Sequence, residues 1–221
     1  MAAISLILNV FYVLVSAFII WYAYPVLKNF KNLKSAAPWI LIIVSYVCDL
    51  IGNIGWLNYY LFLGENNIPY QTWVDFFYLA SYLLFGLAIL LVWLRYARIT
   101  KYKNFINNTI LVLAILFAGG CFGYWLYTYE YFEFLVDVLY VVIPLFSIVA
   151  GIPLIVLTRG GELEQFWILV VISGVFFAFA ESLWAYLYVI EADLLFADVF
   201  WILGYSFFIY AVYIYRKSVK V

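Results

Sequence analysis

All eleven basic residues of this chain fall in four short clusters, and long apolar runs separate the clusters. Lys28, Lys31 and Lys34 form the first. Arg95, Arg98, Lys101 and Lys103 form the second. Arg159 is the third, and Arg216, Lys217 and Lys220 form the fourth. A helix of about 20 mostly apolar residues is long enough to cross a bilayer. Seven segments qualify, near 3–27, 37–63, 72–94, 105–127, 134–157, 166–190 and 194–215. The basic clusters follow the first, third, fifth and seventh, so every Lys and Arg lies on one side. The opposite connections carry Glu65, Glu130, Glu133, Glu191 and Asp193, with no basic residue. The positive-inside rule then predicts an external N-terminus and a cytoplasmic C-terminus. The longest connection is expected over Lys28–Ala36.

Composition agrees. The chain is 70% hydrophobic and 10% charged, against about 25% charged in a soluble domain. Its solvent is therefore expected to be lipid, which makes the bilayer its first partner. A net charge of −1 offers no basic surface to nucleic acid. There is no histidine, which removes His metal sites, His proton relays and His-activated nucleophiles. Cys48 and Cys121 both lie in apolar segments and read as buried free thiols. The N-terminal segment lacks a basic leader and a small-residue cleavage site, and is expected to be a retained span. No P-loop, dinucleotide glycine fingerprint or metal-spaced ligand pair occurs, so neither cofactor nor metal is expected. No Lys lies inside the seventh segment, which excludes a retinal Schiff base there. Neither acid within a span sits in a Gly-x-Gly-Asp context, and enzyme chemistry is not expected. The predicted fold is an all-α integral membrane protein, a seven-transmembrane-helix bundle forming one transmembrane domain over 1–221.

Internal similarity suggests how that bundle is built. Asp75, Asp137 and Asp198 are 62 and 61 residues apart, and each opens an odd-numbered span. Three residues on stand Tyr78, Tyr140 and Trp201; seven on stand Tyr82, Pro144 and Tyr205. Asn9, Tyr12 and Ser16 make a weaker copy. The even spans carry Trp56 and Tyr60, Trp125 and Tyr129, and Trp184 and Tyr188 near their outer ends. The arrangement reads as one helix followed by three hairpins, 1+2+2+2.

Positions i, i+3 and i+7 share a helix face. Asp75, Asp137 and Asp198 can therefore be read as an outer acidic ring backed by aromatics, able to attract a cation. The more ordinary reading is that each Asp stabilises a helix start, where free N–H groups and the positive dipole end favour an anion. That term contributes about 0.3–1 kcal/mol, and the ordinary reading carries more weight. The Trp-x3-Tyr pairs read first as interfacial belt and packing residues.

Two acids break the repeat. Asp49 lies mid-way along the second segment, and Glu181 slightly outward of the middle of the sixth. An acid at the centre of a span costs about 2.5–3.5 kcal/mol on insertion scales and marks a functional site by default. Asp49, Asn53, Trp56 and Tyr60 lie on one helix face; Glu181, Trp184 and Tyr188 lie on another. If the two helices face each other, Asp49, Asn53 and Glu181 form a polar pocket roofed by Trp56, Trp184 and Tyr188. The competing reading is an acid hydrogen-bonded to a neighbouring Tyr or Ser as helix glue. Pro144 and Gly151-Ile152-Pro153 make the fifth segment the expected site of a kink. Gly52, Gly55, Gly119, Gly120 and Gly123 permit close helix approach.

The stretch Phe196-Ala197-Asp198-Val199-Phe200-Trp201-Ile202-Leu203-Gly204-Tyr205 resembles a phrase common in seven-helix sensory domains of bacteria and archaea. Those domains often precede diguanylate cyclase or histidine kinase modules. Trp73-Val74-Asp75-Phe76-Phe77-Tyr78 is similar, and Ala180-Glu181-Ser182-Leu183-Trp184 fits the same style. The resemblance implies a sensory or ligand-binding role with an outer-half polar pocket. This chain departs from it by ending six residues after the seventh segment, so a separate membrane or cytoplasmic signalling partner is expected. Two other classes stay open: a small cation or proton transporter using Asp49 and Glu181, and an accessory subunit of a membrane complex.

Overall fold

The computed structural model describes residues 2–64, 72–99, 131–189 and 194–219. The described residues form six α-helices: α1 (Ala2–Ala23), α2 (Leu33–Leu63), α3 (Trp73–Ile99), α4 (Tyr131–Leu157), α5 (Glu164–Val189) and α6 (Leu195–Ser218). A 3₁₀ turn, Tyr24–Asn29, follows α1. The chain is an all-α, multi-pass membrane protein. Among the described residues, five helical stretches are long and apolar enough to cross a bilayer: Ile4–Asn29, Leu33–Leu63, Trp73–Tyr96, Glu164–Trp184 and Leu195–Ser218. Within α4, Val142–Leu157 is a shorter apolar stretch. The expected fourth segment near 105–127, with Gly119, Gly120, Cys121, Gly123, Trp125 and Tyr129, lies outside the described residues.

Local chemistry sets the helix ends. Pro25 sits in the first turn of Tyr24–Asn29 and lacks the N–H that would continue α1. Asn32 then caps α2: its Oδ1 accepts from the Ser35 N–H at 2.8 Å and from the Ser35 hydroxyl at 2.9 Å. The expected nine-residue connection, Lys28–Ala36, is therefore mostly helical, with only residues 30–32 between the two elements. Sequence hydropathy marks where lipid ends, whereas backbone hydrogen bonding continues into the polar flank. The same reason carries α3 past Arg95 and α6 past Arg216 and Lys217. At about 1.5 Å per residue, the 31-residue α2 outruns a hydrocarbon core of about 30 Å. Gly64 ends it at φ +75°, with its N–H donating to the Tyr60 carbonyl at 3.2 Å. α4 stays helical through both Pro144 and Pro153.

The chain divides into two compact units, Met1–Ala88 with Val219–Val221, and Ile89–Ser218. In the first, α1 packs on α2, and the start of α3 lies against two α2 glycines. A Cβ on Gly52 would stand 2.8 Å from the Tyr78 ring, and one on Gly55 2.6 Å from Val74. In the second unit α5 packs against both α4 and α6. Gly151 of α4 faces Val171, Gly174 of α5 faces Ile148, and Gly204 of α6 faces the Phe177 ring. Large apolar side chains turn outward, among them Ile7, Leu14, Trp21, Phe62, Phe76 and Phe179. That distribution suits a lipid surround.

Lipid tails are as apolar as the side chains, so helices gain little by hiding apolar surface from them; close packing must hold them together. Gly151→Ala places a methyl 2.6 Å from Val171 Cγ2 and should cost about 1–3 kcal/mol in reversible unfolding from detergent micelles. The pair Gly151→Ala with Val171→Ala should recover most of that loss. An additive double variant would show that the contact does not set the α4–α5 spacing.

Candidate functional site

Asp49 lies on the face of α2 that packs on α1, and is 7% exposed. Its Oδ2 is 2.6 Å from the Ser16 hydroxyl of α1. The same Ser16 oxygen is 2.8 Å from the Tyr12 carbonyl, one helical turn back. Asn53, one turn beyond Asp49, aims its amide at this group. Its Nδ2 donates to Ser16 Oγ at 3.0 Å and to Asp49 Oδ2 at 3.2 Å, with the Tyr12 carbonyl at 3.5 Å. That orientation leaves Asn53 Oδ1 to accept from the Tyr78 hydroxyl of α3 at 2.9 Å. One buried network thus runs from α1 through α2 to α3. Gly52 makes the last step possible: the Tyr78 ring lies where a side chain at Gly52 would be.

Ser16, Asn53 and Asp49 are all buried, so each unmade bond among them would cost about 1–3 kcal/mol. Tyr46 and Cys48, on Asp49's own helix, also lie within its electrostatic reach. Trp56 and Tyr60 continue the face as half-buried residues.

Glu181 belongs to the second unit. It is 9% exposed, and its Oε1 accepts from the indole N–H of Trp201 at 3.0 Å. Trp201 is not a bare belt residue; it supplies a donor to an acid within the span. A neighbouring bond ties the same two helices: the Ser173 hydroxyl of α5 donates to the Gly204 carbonyl of α6 at 2.8 Å. The Phe177 ring meets Tyr205 edge-on, with centroids 5.0 Å apart. The stretch from Asp198 to Tyr205 is therefore a packing seam on α5. Trp184 is half-buried, and the Tyr188 side chain is outside the described residues.

The two networks occupy corresponding positions. Asn53 stands three residues before Trp56, and Glu181 three before Trp184. Their partners, Tyr78 and Trp201, each stand three residues after the Asp that opens the next helix. In both cases an aromatic N–H or O–H donor on the following helix meets a polar acceptor on the preceding one.

The three repeated Asp residues differ in setting. Asp75 Oδ2 accepts from the Thr72 N–H at 2.6 Å, while Thr72 Oγ1 accepts from the Val74 N–H at 3.2 Å. This is a variant of the capping box, with the N–H of the second helical residue in place of the third on the Thr72 hydroxyl. Leu195 and Phe134 replace the hydroxyl before Asp198 and Asp137, so the box belongs to Asp75. Asp198 lies half-buried in the first turn of α6. Asp137 lies within α4, with its side chain outside the described residues.

Ser16 and Tyr78 were missed as site members from sequence. Ser16 had one visible signal, being the polar seventh position of the weakest repeat copy. Two further features had none: the indole N–H groups of Trp93 and Trp167 are buried with no acceptor among the described residues.

No protein-family model matches this chain, and neither do the curated proteins or the solved structures.

Double-mutant cycles read these bonds directly. Tyr78→Phe with Asn53→Leu, and Trp201→Phe with Glu181→Leu, should each show coupling of about 0.6–2 kcal/mol in unfolding. Coupling of zero in either pair would mean that bond contributes nothing to helix association.

Proposed function

We propose that the chain is a seven-helix membrane sensory or ligand-binding module whose responsive element is the Asp49 network. The carrying observation is a buried carboxyl bonded to Ser16 and Asn53, with Tyr78 joined through Asn53, so that three helices meet at one acid. An acid at such depth is costly and is retained where it serves a function. Three helices meeting at one group also give a change in that group's bonding a route into helix positions. The matched Asn53–Tyr78 and Glu181–Trp201 pairs support an origin by hairpin repetition. The one-sided basic clusters support an external N-terminus and seven spans. A separate signalling partner, facing the basic side, would carry the output.

The topology is open to labelling. In a Cys48→Ala, Cys121→Ala background, a membrane-impermeant maleimide added to intact cells should label Glu65→Cys and spare Lys31→Cys. The reverse pattern would invert the orientation, and with it the side from which the network is approached.

A second reading, transport of a proton or cation, draws on the continuity of the network across three helices. The purified protein in lipid vesicles separates the two. For a sensor, steps of external pH or sodium should change tryptophan emission, Asp49→Asn should abolish the change, and neither ion should cross. Ion flux that Asp49→Asn removes would establish transport instead. An emission unmoved by any step would overturn the sensory reading.

A further inference from the structure

We infer that Asp49 and Ser16 form a binding site for a single proton, whose occupancy reverses the hydrogen bond joining α2 to α1. The argument begins with counting. Ser16 has one hydroxyl proton and two oxygens within bonding distance, Asp49 Oδ2 at 2.6 Å and the Tyr12 carbonyl at 2.8 Å. With Asp49 ionised, the hydroxyl donates to Oδ2, and Asn53 Nδ2 donates there as well. With a proton on Oδ2, the new O–H donates to Ser16 Oγ, and the Ser16 hydroxyl turns to the Tyr12 carbonyl. One proton enters, one O–H bond forms, one hydroxyl rotates, and nothing else is consumed. Each of these donors has an acceptor in both states.

The ligand follows from the space. Oδ2, Oγ and Asn53 Nδ2 are in mutual hydrogen-bond contact at 2.6, 3.0 and 3.2 Å. No metal or organic cation fits among three atoms already touching. A proton adds almost no volume.

Glu181 supplies the contrast. Its Oε1 accepts from an indole N–H, a group that donates and cannot accept. A proton placed on that same oxygen cannot be passed to Trp201, and the bond cannot reverse. Ser16, by contrast, both donates and accepts.

Among the described residues, Asp49 has Tyr46 and Cys48 beside it on α2 and, through Asn53, Tyr78 on α3. From α1 the network receives Ser16 and the Tyr12 carbonyl. Ionised, Asp49 holds charge-assisted bonds from Ser16 and Asn53, about twice as strong as neutral ones. Protonation exchanges these for neutral bonds and directs Ser16 toward its own helix. The tie between α1 and α2 thereby weakens, which is the structural readout. This inference rests on the sensory reading only in sharing its site, since proton binding and conformational response are measured separately.

The test is infrared difference spectroscopy of the full chain in lipid nanodiscs, titrated with pH. Beside the C=O bands of the exposed acids, common to all variants, a carboxylic C=O component should appear on acidification that is lost in Asp49→Asn and kept in Glu181→Gln. Ser16→Ala should shift its frequency, because the acceptor of the Asp49 O–H is gone. Asp49→Glu, which keeps the carboxyl, should restore a titrating band if Asp49→Asn is compromised in folding. No titrating component lost in Asp49→Asn, or such a component unmoved by Ser16→Ala, would each overturn the proposal. A band that behaves as expected beside an unresponsive tryptophan emission would leave the proton site standing and remove the sensory reading.

Discussion

Lipid removes the force that assembles most proteins. In water, two helices gain about 25 cal/mol for every Å² of apolar surface they hide from solvent. In a bilayer the surrounding tails are as apolar as the side chains, and that gain disappears. What remains is contact close enough for dispersion and bonds that lipid cannot offer. Both are visible here at the same places. Gly52 brings Tyr78 onto the α2 backbone and so allows its hydroxyl to reach Asn53. Gly204 admits the Phe177 ring on one side, while its carbonyl accepts from Ser173. Glycine and hydrogen bond are thus two halves of one device: the missing side chain lets the polar groups meet.

This explains why the polar residues of the spans are placed as they are. A lone Asp or Glu in hydrocarbon would cost several kcal/mol. A partner on the adjacent helix offsets that cost and fixes the register of the two helices at once. Trp201 does this for Glu181, and Tyr78 does it for Asn53. Both partners are aromatic, with a donor at the tip of a large apolar body. They fill interhelical space and carry the bond together, which is economical where packing is the main source of stability.

Much of the fold was legible in the chain. Apolar length and basic clusters located all six described helices to within a few residues at most ends. The Lys28–Ala36 connection was the exception, because capping by Asn32 and the turn at Pro25 depend on single side chains that hydropathy averages away. The candidate site was legible only in part. Asp49, Asn53 and Glu181 stand out by charge and depth, and periodicity puts Asp49 and Asn53 on one face. Their partners do not stand out. Ser16 is one of several hydroxyls in apolar runs, and most of the others bond their own helix: Ser182 to Ala178, Ser206 to Ile202, Thr158 to Leu154. Which serine meets an acid depends on the rotation of one helix about another. Local sequence does not encode that angle; glycine spacing and ring packing set it.

Counted back from the Trp of each Trp-x3-Tyr pair, Asn53 and Glu181 stand at corresponding positions, with Phe122 at the third. Asp49 has no counterpart: Ala118 and Phe177 stand at the corresponding positions. In the second unit Phe177 does ordinary work there, packing on Gly204 and Tyr205. An apolar residue is therefore sufficient for that position's structural task. An acid there brings a desolvation cost, and satisfying it takes Ser16 from α1. Asp49 is held in the span by bonds from Ser16 and Asn53, and so depends on how α1 and α2 meet.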